Sequence, residues 1–281
     1  MIDAGQLQRI IKMALDEDVG TGDITTAGTV TPGTQITGRF IAKADGVLCG
    51  TEVVQAVFAT VDTAIALDFH FRDEDALRKG DVIADIGGDA AHILTGERTA
   101  LNLLQHMSGI ATRTKETVAQ VAGYDVRILD TRKTTPGLRV LEKYAVRVGG
   151  GYNHRFSLAD GILIKDNHIQ AAGGITRAVA GARSRAPFTL KIEVETETLR
   201  QVQEALDARA DIIMLDNMTA EQMREAVALI GGRAVVEASG NMGQRDLREV
   251  AATGVDCISV GDLTNDVRPL DISLKLDIRE S

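Results

Sequence analysis

Residues 190–262 read LKIEVETETLRQVQEALDARADIIMLDNMTAEQMREAVALIGGRAVVEASGNMGQRDLREVAATGVDCISVGD, and this stretch decides the fold. Four short apolar runs, centred near Leu190, Ile212, Val235 and Ile258, recur at steps of 22, 23 and 23 residues. Each step has the length of one strand followed by one helix, and successive strand–helix units build a parallel sheet. The stretch therefore predicts an α/β architecture.

Each of these runs ends in side chains suited to chemistry. They are Glu193, Glu195, Asp216, Asn217, Ser239, Gly240, Asn241, Gly261 and Asp262. Functional groups at the carboxyl ends of parallel strands are typical of an α/β barrel, in which the last two loops often hold a phosphate. Two further runs, Val126 to Leu129 and Ile162 to Ile164, bring the number of strands to six, whereas a full barrel has eight. We expect a distorted, incomplete barrel.

The N-terminal third of the chain has a different pattern. Asp3 is placed to cap a first helix. From about Ile36 to Leu94, short β-type runs are separated by Gly and Asp turns, with one helical segment near Thr51 to Ala59. The pattern from about Thr95 to Val121 is helical, with an interruption at Ser108-Gly109, and it joins two domains. The sequence therefore predicts an α+β module before the barrel.

The charge of the chain is unevenly distributed. The 281 residues carry a formal charge of −9, which argues against non-specific binding to nucleic acid or to an anionic membrane. Between Arg127 and Lys165, however, there are eight basic residues and only three acidic ones. The formal charge of this segment is therefore +5, and that of the rest of the chain is −14. A cationic segment within an acidic protein predicts a site for a small, highly charged anion.

Cysteine content and hydropathy bear on the compartment. The two cysteines, Cys49 and Cys257, are far apart and provide neither a disulfide framework nor a zinc cluster. The first residues lack the basic and apolar regions of a signal peptide, and no apolar run approaches the roughly 18 residues needed to span a bilayer. We expect reduced thiols and a cytoplasmic protein.

Two loops combine cations with small residues. Asp130 to Gly137 follows a strand and contains Arg132 and Lys133 beside hydroxyl groups, a composition suited to phosphate or carboxylate, although it also fits a solvated turn. Gly149 to Arg155 places a triple glycine before His154-Arg155, where the backbone can approach a ligand. A structural role for His154 is the alternative.

Lys165 and the strand-end carboxylates leave several roles open. Lys165 follows an apolar strand, where it would form a Schiff base, hold an anion or pair with Asp166. Alternation places Glu193 and Glu195 on one face of their strand. With Asp216 they would bind Mg²⁺ or ribose hydroxyl groups, or form local ion pairs.

Together these motifs resemble the quinolinate phosphoribosyltransferase family nearly end to end. The motifs are Glu17-Asp18, Gly22-Asp23-Ile24-Thr25, Gly96-Glu97-Arg98-Thr99-Ala100-Leu101-Asn102, Asp130 to Gly137, His154-Arg155, Lys165-Asp166-Asn167-His168, Glu193-Val194-Glu195, Leu215-Asp216-Asn217, Glu237-Ala238-Ser239-Gly240-Asn241 and Ser259-Val260-Gly261. So many short motifs in one order make a chance match implausible.

The resemblance implies an N-terminal open-faced α/β sandwich over residues 1–107, an α/β barrel catalytic domain over 108–267, and a C-terminal tail over 268–281 that returns to the N-terminal domain. It implies a homodimer, or a higher oligomer, whose site is shared across the interface. The implied reaction is that of a type II phosphoribosyltransferase of NAD biosynthesis, which converts quinolinate and 5-phosphoribosyl 1-diphosphate to nicotinate mononucleotide, diphosphate and CO₂ with Mg²⁺ and no organic cofactor.

The resemblance also implies roles for individual residues. Lys133, Lys165, Glu195 and Asp216 would be catalytic, and Glu195 and Asp216 would serve the metal and the ribose. The substrate-binding set would be Arg98, Thr131, Arg132, Lys133, His154, Arg155, Lys165, Glu195, Asp216, Ser239, Gly240, Asn241 and Gly261, in which residues 239–241 and Gly261 hold the 5-phosphate.

Other functions remain open from the sequence. A molybdate-associated pyrophosphorylase-like protein shares parts of the pattern, and nicotinate phosphoribosyltransferase is a more distant relative. A Schiff-base lyase using Lys165 and a phosphosugar-binding regulator come from other functional classes.

Overall fold

The computed structural model describes residues 2–277, which form two compact units. The first unit contains the residues up to Lys115, residues Thr135–Gly150 and the residues from Asp266 onward, and the second contains Glu116–Thr134 and Gly151–Asn265. Each unit therefore draws on separate parts of the chain.

The strands and helices have the following bounds. The strands are β1 Gln35–Ala42, β2 Gly46–Val47, β3 Ala66–Phe69, β4 Ala76–Leu77, β5 Val82–Asp89, β6 Arg127–Leu129, β7 Ile162–Ile164, β8 Ile192–Thr196, β9 Ile212–Asp216, β10 Val235–Ser239, β11 Cys257–Ser259 and β12 Ile272–Asp277. The helices are α1 Ala4–Val19, α2 Ile24–Thr29, α3 Thr51–Val61, α4 Ala90–Gln120, α5 Arg139–Val148, α6 Asp166–Ala172, α7 Ile175–Arg185, α8 Leu199–Asp207, α9 Ala220–Ile230, α10 Leu247–Ala251 and α11 Asp262–Asn265.

The first unit is built on an antiparallel sheet of order β12-β1-β5-β3. Alternate residues of β1 are buried, and the ring of Phe40 packs edge-on against that of Phe58 in α3. Asp3 caps α1 by accepting a hydrogen bond from the backbone N–H of Gln6, as its position predicts. β12 pairs with β1 in the register that sets Asp277 opposite Thr37, while residues 278–281 of the predicted tail lie outside the described residues.

The second unit is a six-stranded parallel sheet of order β6-β11-β10-β9-β8-β7. Its inner strands are almost fully buried, as expected for a parallel sheet flanked by helices. The predicted α/β class with a separate N-terminal α+β domain is confirmed. Over residues 2–277 the strands do not close into a barrel, since β6 and β7 form the two edges of the sheet.

The predicted interruption at Ser108-Gly109 is wrong, because α4 runs without a break from Ala90 to Gln120. The Oγ atom of Ser108 accepts a hydrogen bond from the backbone N–H of Cys49 at 3.0 Å. A Cβ at position 109 would collide with the carbonyl oxygen of Arg268. These two small residues therefore allow close packing within the helix and do not end it.

The structure also places α5 in the first unit, whereas the sequence assigned all of residues 108–267 to the barrel domain. Side chains hold α5 there. The Tyr144 hydroxyl donates to Asp73 Oδ2 at 2.9 Å, and His106 Nε2 lies 2.9 Å from Glu142 Oε1. No described helix has the length and apolar character required to cross a membrane.

Candidate active site

A cavity of about 490 Å³ opens at the carboxyl ends of the parallel strands in the second unit. Its size is typical of a small-molecule site. Three groups of side chains line it: cations, acids and small or polar residues. The lining residues are Thr131, Arg132, Lys133, His154, Arg155, Leu163, Lys165, Glu195, Met214, Asp216, Asn217, Glu237, Ser239, Gly240, Asn241 and Ser259.

Asp130, which is fully buried directly after β6, organises one wall of the cavity. Its Oδ1 accepts a hydrogen bond from the backbone N–H of His154 at 2.8 Å, and its Oδ2 accepts one from Asn153 Nδ2 at 2.6 Å. A buried carboxylate needs such donors to offset the loss of hydration. Asp130 therefore fixes the backbone that presents His154 and Arg155.

Two threonine hydroxyl groups fix the backbone of Lys133. Its N–H donates to Thr131 Oγ1 at 3.0 Å, and its carbonyl accepts from Thr264 Oγ1 at 2.8 Å. The Lys133 side chain crosses Gly261, where a Cβ would lie 3.1 Å from Lys133 Cδ. Gly261 does not line the cavity, and its proximity to Lys133 is the role that the structure shows for it.

Arg155 is a partly buried cation whose guanidinium has one fixed partner. Its Nη1 donates to the carbonyl oxygen of Gly161 at 2.9 Å. Burial, followed by repulsion from Arg132, lowers the pKa of Arg155. Two guanidinium groups brought close together in a partly dehydrated cavity are stabilised when an anion binds between them.

Lys165 pairs with Glu195 and not with Asp166 as the sequence allowed. Its Nζ lies 2.6 Å from Glu195 Oε2, across the ends of β7 and β8. Its backbone N–H donates to His168 Nδ1 at 3.0 Å, at the start of α6. This ion pair fixes the Lys165 ammonium group in the lining of the cavity, an arrangement that favours anion binding over Schiff-base formation.

Asp216 ends β9, and the next residue orients it. Asn217 Nδ2 donates to Asp216 Oδ2 at 2.7 Å, and the Asn217 N–H donates to the carbonyl oxygen of Ser239 at 3.0 Å. Gly240 packs directly against Asn217 with φ +95°, so a Cβ at this position would lie 2.7 Å from the Asn217 nitrogen. A glycine is needed here for both its conformation and its size.

A buried polar cluster lies at the base of the cavity. His154 Nε2 is 3.1 Å from Glu193 Oε2 and 3.6 Å from Glu237 Oε2, and ligand atoms of the three residues lie within 4.8 Å of one another. Both glutamates are almost fully buried. Burial, reinforced by the charge of Glu193, raises the pKa of Glu237 to about 8, so Glu237 carries a proton at neutral pH.

The lining of the cavity contains every residue of the predicted substrate-binding set except Arg98 and Gly261. Glu193, which the sequence offered for Mg²⁺, ribose or a local ion pair, does not line the cavity and pairs with His154. Arg98 lies exposed on α4 in the first unit. The sequence indicated no chemistry for four of the lining residues, which are Leu163, Met214, Glu237 and Ser259, and it gave Asn217 no specific role. The sequence could have identified Glu237 as a candidate, because it is an acidic residue inside the apolar run Val235 to Ala238.

Family models match most of the chain. The C-terminal domain of quinolinate phosphoribosyl transferase matches residues 110–275, and the N-terminal domain matches residues 23–108. Among curated proteins, a probable nicotinate-nucleotide pyrophosphorylase [carboxylating] from Bacillus subtilis is 45% identical over 97% of this chain and 94% of its own length. A mitochondrial quinolinate phosphoribosyltransferase [decarboxylating] from Nicotiana tabacum is 41% identical over 96% of this chain and 82% of its own length.

Solved structures agree in fold as well as in sequence. NadC from Streptococcus pyogenes is 44% identical with a TM-score of 0.93, covering 99% of this chain and 98% of its own. A nicotinate-nucleotide pyrophosphorylase from Francisella tularensis is 38% identical with a TM-score of 0.94, covering 99% and 98% respectively. By domain models, sequence and fold together, the chain belongs to the quinolinate phosphoribosyltransferase family.

Proposed function

We propose that the cavity of the second unit is the active site at which this enzyme performs the family's reaction. Quinolinate and 5-phosphoribosyl 1-diphosphate are converted to nicotinate mononucleotide, diphosphate and CO₂, a step of NAD biosynthesis. The observation that carries this assignment is the presence of Arg132, Lys133, Arg155 and Lys165 in one cavity of an acidic protein. Two carboxylates, a 5-phosphate and a diphosphate need such a concentration of positive charge.

Quinolinate binds on the Arg155 side of the cavity. A guanidinium group offers parallel donors that match a carboxylate, and the pKa of Arg155 is already lowered by burial and by Arg132. An incoming carboxylate relieves this repulsion. Lys165, at the end of β7, adds a point charge from the neighbouring strand.

The phosphoribosyl donor binds across the ends of β8, β9 and β10. Glu195 and Asp216 accept hydrogen bonds from the ribose hydroxyls. Ser239, Gly240 and Asn241 form a tight loop in which the last two have φ of +95° and +51°, a backbone form that exposes N–H groups to an anion. The 5-phosphate lies in this loop, and Gly261 supports it by leaving room for Lys133.

Glu195 and Asp216 also fit Mg²⁺. They offer carboxylate oxygens at adjoining strand ends, and such hard oxygen donors suit a cation that binds with substrate phosphates. When bound, Mg²⁺ neutralises charge on the departing diphosphate. Glu195 and Asp216 would hold it in place, and Lys165 restrains the Glu195 carboxylate at 2.6 Å.

The chemistry requires positioning and charge stabilisation more than proton transfer. The ring nitrogen of quinolinate forms a bond to ribose C1 while the bond from C1 to the diphosphate oxygen breaks, and Lys133 with Arg132 stabilises the leaving charge. The carboxylate next to the now cationic ring nitrogen then leaves as CO₂, its electron pair stays on the ring carbon, and water supplies the proton.

Release of CO₂ from carboxyl-labelled quinolinate tests this function. We expect label to be released only when phosphoribosyl diphosphate is present, with one diphosphate formed per CO₂. Release without the donor contradicts the transferase, and trapping of a substrate on Lys165 by borohydride supports the lyase instead. The Lys165–Glu195 ion pair favours the first outcome.

A homodimer with a shared site is part of the proposal. Arg98 is exposed in the first unit, and its motif suggests that it reaches a substrate carboxylate in the partner's site. Chains carrying Arg98→Ala and Lys133→Ala, each inactive alone, should recover activity when mixed. If mixing restores none, the two residues do not act across an interface. The cytoplasmic location stays a prediction.

A further inference from the structure

Both ring nitrogens of His154 are used within the protein. Nδ1 accepts a hydrogen bond from the backbone N–H of Arg155 at 2.8 Å, so the lone pair of Nδ1 is committed. The ring proton therefore lies on Nε2, which is 3.1 Å from Glu193 Oε2. An imidazolium would place an N–H at Nδ1 against the Arg155 N–H, donor against donor.

Two buried acids lie on the Nε2 side of the ring. Glu193 and Glu237 are 4% and 3% exposed, and each has one buried carboxyl oxygen, Oε1, without a hydrogen-bond partner. With the ring proton on Nε2, His154 donates to Glu193 Oε2 at 3.1 Å and lies 3.6 Å from Glu237 Oε2.

The hydrogen bonds of His154 and Arg155 converge on one backbone segment. The buried Asp130 holds the backbone N–H of His154 at 2.8 Å, the His154 ring holds the next N–H, and Gly161 accepts from the Arg155 guanidinium at 2.9 Å. The ring is anchored in turn by Glu193. The orientation of the guanidinium thus depends on an imidazole that acts as an acceptor.

We infer that His154 is a neutral positioning residue for Arg155 and not a cationic ligand of a substrate carboxylate. Under this inference His154 acts through Arg155, whereas the resemblance places it in the substrate-binding set. The part that concerns quinolinate rests on the proposed function, in which Arg155 binds a carboxylate. The protonation state of the ring does not depend on that function.

Nitrogen-15 NMR of histidine-labelled protein at neutral pH tests the protonation state directly. The His154 signals are assigned from their loss in His154→Asn. We expect one protonated nitrogen, Nε2, and one unprotonated nitrogen, Nδ1. The inference is overturned if both ring nitrogens are protonated. It is also overturned if one divalent cation per chain copurifies with the protein and is lost in Glu237→Gln. His92, exposed and paired with Asp62, serves as the reference histidine.

A double-mutant cycle tests the positioning role. We expect His154→Ala and Arg155→Ala each to raise the KM for quinolinate about 10- to 100-fold, and the double variant to be within about twofold of Arg155→Ala. His154→Asn should recover most of the loss, because its Oδ1 takes the place of Nδ1 as acceptor. His92→Asn is the control and should keep the wild-type KM.

Three results would overturn the positioning role. If the increases in KM of the two single variants multiply in the double variant, His154 contacts the substrate independently. If His154→Asn is as impaired as His154→Ala, the hydrogen-bond acceptor does not matter. An unchanged KM in Arg155→Ala would refute the proposed carboxylate contact of Arg155, and with it the positioning role, while the NMR result still decides the protonation state. If His154→Ala does not fold, the Asn variant and the NMR measurement carry the test.

Discussion

The substitution Gly240→Ala should damage the ribose side of the site through Asn217. An added Cβ would collide with the Asn217 carboxamide and lie 2.7 Å from its backbone nitrogen. Asn217 cannot retreat easily, because its N–H is bonded to the carbonyl oxygen of Ser239 at 3.0 Å. The carboxamide must therefore turn away from Asp216, to which it now donates at 2.7 Å.

Two costs add in this variant, and a matched control separates them. A side chain at φ +95° costs about 1–3 kcal/mol in backbone strain, and overpacking against Asn217 costs a further ~1–3 kcal/mol. Gly123 has φ +93° with nothing within 4 Å of an added Cβ, so Gly123→Ala measures the strain alone. We expect Gly240→Ala to lower the free energy of unfolding by about 1–3 kcal/mol more than Gly123→Ala.

Steady-state kinetics show which substrate the Gly240→Ala substitution affects. Loss of a hydrogen bond to a charged group costs about 1.5–3 kcal/mol, or roughly 10- to 150-fold. We expect kcat/KM for phosphoribosyl diphosphate to fall by that factor in Gly240→Ala, with little change in the KM for quinolinate. Equal unfolding free energies in the two alanine variants, together with an unchanged KM for the donor, would refute the reasoning.

Other consequences can be measured separately. Arg155→Lys keeps the charge but loses the planar pair of donors, so calorimetry should show quinolinate affinity reduced about 10- to 150-fold and donor affinity changed far less; equal losses for both substrates would contradict the assignment. The raised pKa of Glu237 means that the folded state holds a proton that the unfolded state releases between its ordinary pKa and about 8, so stability should fall as pH rises through this window. The difference between the urea midpoints measured at pH 6 and at pH 8 should be smaller in Glu237→Gln than in wild type. An equal difference in the two proteins would count against the buried proton. Thr264→Val removes the hydroxyl that holds the carbonyl of Lys133, and we expect a several-fold higher KM for the donor in steady-state assays with an unchanged fold by circular dichroism. Chelation of Mg²⁺ should abolish turnover, and full activity in excess chelator would exclude the metal.

The parallel sheet and the position of its site could be predicted because both depend on local sequence. A step of 22 or 23 residues between apolar runs specifies strand and helix, and the parallel direction then brings Glu195, Asp216 and Ser239 to one edge. The observed register agrees with this inference, because Glu195 pairs with Met214 and Ser239 with Asp216 in adjacent strands. No long-range information is needed for that inference.

Other features depend on contacts between residues far apart in sequence. Ser108-Gly109 weakens a helix by its propensity, and only its packing against Cys49 and Arg268 shows why α4 continues. The partner of Lys165 is Glu195 on the next strand and not its neighbour Asp166. The partner of the His154 ring, Glu193, likewise lies on a distant strand that no spacing rule connects to it.

The pairing of β12 with β1 has a consequence for the order of events during synthesis. β1 leaves the ribosome long before β12 is translated, so one edge of the N-terminal sheet stays open until the last described residues emerge. An open edge of this kind is a place where another chain can pair. All residues of the second unit are translated in the interval, between the two strands that must meet. We therefore expect nascent chains that stall before residue 272 to be the species most prone to associate with one another.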